Sequence, residues 1–268
     1  MRYVLDHDFH VHTQLSPCSS NPEQNPTRIL QYAKENNLKT VITTDHYWDE
    51  RVPCSTKPYG INNETIHKWG PYPQEDGIRM LIGAEADIDF NGILGINRRT
   101  CEDFDFILIS ATHMHMDGFT CRGDETVEER IAMYIRRLEI ILNADIPHKK
   151  IGFSHPVTPL ICYHEQVLDG IPESEFRRLF GRAAELGLGV EINLSSMRDS
   201  DDFDDYTQVT PQTHPAMFRP YRIAKEMGCK FFFGSDSHSP SDFLFLKPMA
   251  EALIDQLELK ESDKFILS

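Results

Sequence analysis

No CxxC pair occurs in this chain of 268 residues, and its six cysteines, Cys18, Cys54, Cys101, Cys121, Cys162 and Cys229, are too dispersed for a disulfide framework, which fits reduced thiols. Long apolar runs are missing too. None approaches the roughly 18 residues that a membrane helix needs. The opening MRYVLDHDFH turns polar after Tyr3–Leu5, so it does not read as a signal peptide, and a cytoplasmic protein with no membrane partner is expected. No Gly/Ser tract, low-complexity block or sustained repeat divides the chain, so residues 1–268 are expected to form one domain. Basic residues are scarce: 27 Lys and Arg stand against 42 Asp and Glu, and the formal charge of −15 repels phosphate backbones, which argues against nucleic acid as a partner. Tryptophan occurs only twice, as Trp48 and Trp69, both in the stretch 47–78. That stretch is rich in Tyr, Pro and Asn and is expected to be a lid insertion, because so long a loop in a compact domain is usually functional or disordered.

What is present is a regular alternation of short β-prone runs with amphipathic stretches. Strands are expected near 2–9, 39–44, 79–86, 105–111, 150–154, 188–193 and 230–235. Asn25 and Pro26 supply an N-cap and first-turn residue for TRILQYAKENN; residues 124–143 carry apolar positions at helical spacing. Pro172 and Pro215 open two more helices that close on Gly187 and Gly228. Strand and helix in alternation imply an α/β fold of parallel strands with right-handed crossovers.

The polar residues choose between a barrel and an open sheet. Each expected strand ends in a residue able to bind metal or phosphate: His10 and His12, Asp45 and His46, Glu85, His113, His155, Glu191 and Asn193, Asp236 and His238. A parallel barrel opens all its carboxyl ends onto one face, where these side chains would meet; an open sheet would string them along an edge. Histidines with shared carboxylates suit zinc, iron or manganese better than magnesium or calcium. The donors are too many for one ion. A carboxylate can bridge two cations, and such a cluster clamps the oxygens of a phosphoryl group, so phosphate-ester hydrolysis is the natural chemistry.

The motifs DFHVHT (8–13), TTDH (43–46), GAEAD (83–87), THMH (112–115), FSHP (153–156) and FGSDSH (233–238) resemble, in order and across nearly the whole chain, those of the polymerase and histidinol phosphatase (PHP) superfamily. The resemblance implies a distorted (β/α)7 barrel with two or three divalent metal ions at the carboxyl ends of the strands. Position by position, it implies that His10, His12, Glu85 and Asp236 hold one ion, that Glu85 bridges to a second held by His113 and His155, and that His46 and His238 serve a third. Where relatives usually carry a further His or acid for the third ion, this chain has Cys18, which reads either as a thiolate ligand or as a small apolar filler. EINLSSMR (191–198) resembles a segment of histidinol-phosphate phosphatases, and this implies Arg198 as a bidentate clamp on a phosphate monoester. Asn193 and Arg122 are further candidates for substrate binding, and Asp45, or water on the third metal, for proton donation. The implied activity is hydrolysis of a small phosphorylated substrate, with histidinol phosphate, and hence histidine biosynthesis, named first. A phosphodiesterase or nucleotidase of the same superfamily, and a non-catalytic metal-binding module, are the alternatives. His67, His148 and His214 match no strand end and read as surface residues; His115 and His164 read as rim residues rather than ligands.

Overall fold

The computed structural model describes residues 1–60, 63–158, 164–197, 209–244 and 246–267. Its strands are β1 (His7–Val11), β2 (Thr40–Thr43), β3 (His46–Tyr47), β4 (Arg79–Ala86), β5 (Phe106–Ser110), β6 (Ile151–Ser154), β7 (Gly189–Asn193) and β8 (Lys230–Gly234). All named pairings are parallel, in the order β1-β2-β4-β5-β6-β7-β8. The two-residue β3 continues the line of β2 beside β4, setting His46 against Glu85. Among the described residues eight strands thus stand where seven were expected, because two residues are too few to show a period of two. Beyond the strand ends, Val11 bridges Ser237, Asp236 N–H donates to His10 C=O (2.8 Å) and His12 N–H to Ser237 C=O (3.1 Å), so the sheet is nearly closed into a barrel.

The helices between and after the strands are α1 (Pro26–Glu35), α2 (Asn63–Ile66), α3 (Val127–Asn143), α4 (His164–Gly170), α5 (Glu173–Leu186), α6 (Pro215–Glu226) and α7 (Leu246–Gln256). Their ends follow local chemistry. The Asn25 side chain accepts from Arg28 N–H ahead of Pro26, and Thr126 with Glu129 forms a reciprocal capping box that starts α3 at Val127 rather than Asp124. Gly187 takes the left-handed conformation that ends α5. Among the described residues no helix is long and apolar enough to cross a membrane.

Strand β1 differs from its expected span of 2–9 by starting at His7. Arg2 pairs antiparallel with Lys260 and Tyr3 N–H donates to Leu259 C=O, so this lead-in serves the later chain, not the barrel. Strand β1 is also irregular: Asp8 pairs with Val41 and Val11 with Thr43, so it advances three residues while β2 advances two. In a regular strand the adjacent Phe9 and His10 would face opposite ways. The extra residue is a bulge that turns both inward. Phe9 joins Ile42, Phe106, Leu108, Phe232 and Phe265 in a cluster that fills the barrel, apart from the larger core between sheet and helices. Each ring so buried contributes about 1.5–3 kcal/mol. Phe265 arrives from beyond α7, its N–H donating to Phe231 C=O (2.7 Å).

Candidate metal centre

Glu85, at the carboxyl end of β4 and 1% exposed, is surrounded by five imidazoles that divide between its two oxygens. On the Oε1 side stand His155 Nε2 (2.7 Å) and His113 Nε2 (3.6 Å). On the Oε2 side stand His10 Nε2 (3.6 Å), His12 Nε2 (3.5 Å) and His46 Nδ1 (3.5 Å). Asp236 Oδ1 completes that second side, 3.3 Å from His10 Nε2 and 3.1 Å from His12 Nε2. His10 and His12 meet with their Nε2 atoms 3.1 Å apart, on the face opposite Val11, which points into the outer core.

Most of these rings are anchored from behind. His10 Nδ1 lies 2.8 Å from Glu191 Oε1, His113 Nδ1 2.6 Å from Asp87 Oδ1, His155 Nδ1 2.6 Å from Thr112 Oγ1 and His12 Nδ1 3.0 Å from Ser16 Oγ. A partner at Nδ1 fixes the ring and leaves the Nε2 lone pair facing the centre, the usual arrangement around a ligating histidine. Asp236 and His155 both take left-handed backbone, with φ of 53° and 30°. Non-glycine residues there cost about 1–3 kcal/mol each and concentrate at functional sites.

Asp87 is the residue that sequence reasoning missed. It stands two after Glu85, and residues two apart on a strand line share a face, a signal that is visible in the sequence. Its Oδ1 holds His113, and its Oδ2 lies 3.6 Å from His46 Nδ1. Ser16, Thr112 and Glu191 as ring anchors carried no comparable signal, since only the fold brings them to their rings.

The remaining predicted residues are scattered. The Cys18 thiol lies 3.9 Å from His12 Nδ1, in a group with His12 and His238. Asp45 accepts from Thr13 N–H and Thr13 Oγ1–H, both at 2.7 Å, so both its oxygens are used in bracing the DFHVHT segment. Asn193 is fully buried behind Asp236, its amide donating to Asp236 Oδ2 (3.2 Å) and Glu191 Oε1 (3.3 Å). That placement makes it an orienting residue, not one that faces a substrate. Arg122 is not brought to the cluster: it lines a separate cavity of about 230 Å³ against α3, whose lining includes none of the candidate ligands. Arg198 lies outside the described residues. Of the histidines read as surface residues, His148 Nε2 is tied to Ile141 C=O (3.0 Å) and His67 stacks near Phe104.

Charges in the centre are strongly coupled. Burial disfavours ionised Glu85 and Asp236, but the imidazoles around them prevail and hold both carboxyls well below their ordinary range. Burial likewise opposes charge on His12, yet Cys18 and Asp236 beside it lift its imidazole to about 9. The Cys18 thiol, pushed up by burial, is brought down to about 3 by His12, with His238 and His46 assisting.

These residues fit divalent transition-metal ions. Groups of ligand atoms lying within 4.8 Å of one another are formed by His10, His12 and Glu85; by His10, His155 and Asp236; by Glu85, His113 and His155; and by His46, Asp87 and His113. His46 Nδ1, buried against two carboxylates, has no hydrogen-bond partner among the described residues, which is costly unless the atom is used otherwise.

No protein-family model matches the chain, and a search of the curated proteins finds no match. Solved structures do match. Histidinol phosphate phosphatase from Lactococcus lactis subsp. lactis Il1403, solved with zinc, L-histidinol and phosphate, superposes with a TM-score of 0.57 over 98% of this chain and 100% of that chain, at 18% identity. An uncharacterised protein gives a TM-score of 0.42 (96% of this chain, 70% of that one, 11% identity), and a triazine hydrolase variant 0.39 (83% and 52%, 10% identity). At these identities the likeness is one of fold, and the chain is similar over nearly its whole length to the barrel of the Lactococcus lactis phosphatase.

Proposed function

We propose that the chain is a metal-dependent phosphatase acting on a small phosphate monoester, with histidinol phosphate the first substrate to test. The observation that carries this reading is the division of imidazoles between the two oxygens of Glu85, which gives two adjacent ion sites with one shared carboxylate. His10, His12, Asp236 and Glu85 Oε2 would hold one ion, and His113, His155 and Glu85 Oε1 the other. Cys18, His46 and His238 are candidates for a third. Two ions so held supply Lewis acidity toward a phosphoryl group and a nucleophile at neutral pH. The fold likeness to a phosphatase solved with zinc, L-histidinol and phosphate supports the choice of substrate.

In this reading the chain positions and neutralises. Glu191, Asp87 and Thr112 keep the ligand rings in one orientation, and Asp45 holds Thr13 so that the His10–His12 segment keeps its shape. Arg198, five residues after β7, is the proposed clamp on the non-bridging phosphate oxygens. Segment 47–78 is the proposed lid; in support, Tyr59 presents its ring edge-on to His46 with centroids 5.3 Å apart.

The test is to reconstitute the protein with zinc, iron(II) or manganese and assay phosphate monoesters and diesters, histidinol phosphate among them. Hydrolysis of monoesters is expected. Turnover of diesters or nucleotides alone would select the phosphodiesterase alternative, and a full metal complement without turnover of any ester would leave a binding module.

A further inference from the structure

We infer that Arg137 is a positioning residue for the ion site formed by Glu85, His113 and His155, an inference that rests on the metal reading above. Arg137 sits on the inner side of α3 among Tyr134, Leu138 and Ile141 and is 2% exposed. No carboxylate lies within ion-pair distance of it among the described residues. An apolar side chain would suit that position better, because a buried charge without a counter-charge is strongly unfavourable unless its donors are used. They are used on one loop. Arg137 Nη1 donates to Ala111 C=O (3.2 Å) and to His113 C=O (2.9 Å), and Nη2 to Thr120 C=O. The main chain of His113 is therefore held at both groups, since its N–H also donates to Ser110 Oγ (3.0 Å), while Asp87 holds the ring. Arg130, about two turns earlier, takes the next carbonyl, Met114 (2.8 Å). The guanidinium thus sets the ligand of this ion site that stands in the loop after β5.

The molecule contains its own control. Arg219 of α6 also caps several carbonyls of a connection, Leu168, Asp169 and Ile171, but that connection carries no candidate ligand. Zinc stoichiometry and affinity, measured by elemental analysis and chelator competition on protein shown to be folded by circular dichroism, separate positioning from mere stability. Arg137→Met should keep one zinc at wild-type affinity and weaken another by about 10–100-fold, the range seen when an outer partner of a ligand is lost. Arg137→Lys should recover part of this, and it carries the test alone if the Met variant does not fold. Arg219→Met should lower the unfolding midpoint and leave zinc binding unchanged. Wild-type zinc affinity in folded Arg137→Met or Arg137→Lys would overturn the inference, as would equal weakening in Arg219→Met. A wild-type protein that takes one zinc or none would instead sink the metal-cluster reading itself.

Discussion

Glu85 is the residue whose loss the geometry makes most expensive. Its oxygens face different sets of imidazoles, so Glu85→Gln, whose amide nitrogen cannot ligate, should reduce occupancy of both ions, whereas His46→Ala should leave the two principal sites filled. Elemental analysis after identical purification checks this; equal metal content in the two variants would show that Glu85 does not bridge. The imidazoles also make metal affinity depend on pH in a definite direction. His10, His12 and His46 are lifted above the ordinary histidine range in the ion-free protein, each by carboxylates or Cys18 that outweigh burial. They must be neutral to ligate, so zinc has to displace their protons, and apparent affinity should go on rising with pH beyond the ordinary histidine range. Calorimetric titration in buffers of different ionisation enthalpy should report net proton release. At this scale the motifs made most of the cluster legible, because strand-end histidines and acids are visible in one dimension. Ser16, Thr112 and Arg137 were not, since each acts on a ring or carbonyl that only the nearly closed barrel brings to it.

The elements that carry these residues were legible in order and type, less so in detail. Hydrophobic runs marked seven strands near their true positions, and Asn25, Pro26 and Gly187 marked helix ends by their own chemistry. The β1 bulge escaped because it is a matter of pairing between two strands, and α4 and α7 were not read at all. One position at an element end is decisive. Gly234 closes β8, and a Cβ there would overlap Glu191 Oε1 and lie 2.5 Å from the Cβ of His10. Gly234→Ala must therefore push Glu191 off the ring it anchors. Expected is a folded protein with zinc affinity reduced about 10–100-fold, as for other outer partners; chelator competition at unchanged far-ultraviolet circular dichroism would show it. Strand β6 uses glycine differently: at Gly152 a Cβ would meet Phe232 at 2.5 Å and Phe106 at 2.8 Å, so Gly152→Ala should destabilise by about 1–3 kcal/mol through overpacking, read as a lower urea midpoint.

At the scale of the whole molecule, one of the two proposed ion sites sits where the sheet joins itself. Strand β1 gives His10, and the turn after β8 gives Asp236, with Asp236 N–H bonded to His10 C=O across the seam. An ion held by both residues would tie the first strand to the last. Removing it with a chelator should lower the melting temperature, and zinc should restore it. At a thousandfold excess over its dissociation constant a single ion stabilises by about 4 kcal/mol, a shift on the order of 10 °C for a chain of this size. An unchanged melting curve after verified metal removal would show that the seam does not depend on the ion. The interior below the sites has the same long reach, because Phe9 and Phe265 share one cluster. During synthesis on a ribosome this sets a schedule. Phe9, Phe106 and Phe232 emerge well before their last partner, so a nascent chain halted after Gln256 should still present an open, protease-sensitive barrel, and protection should arrive only when residue 265 has cleared the exit tunnel.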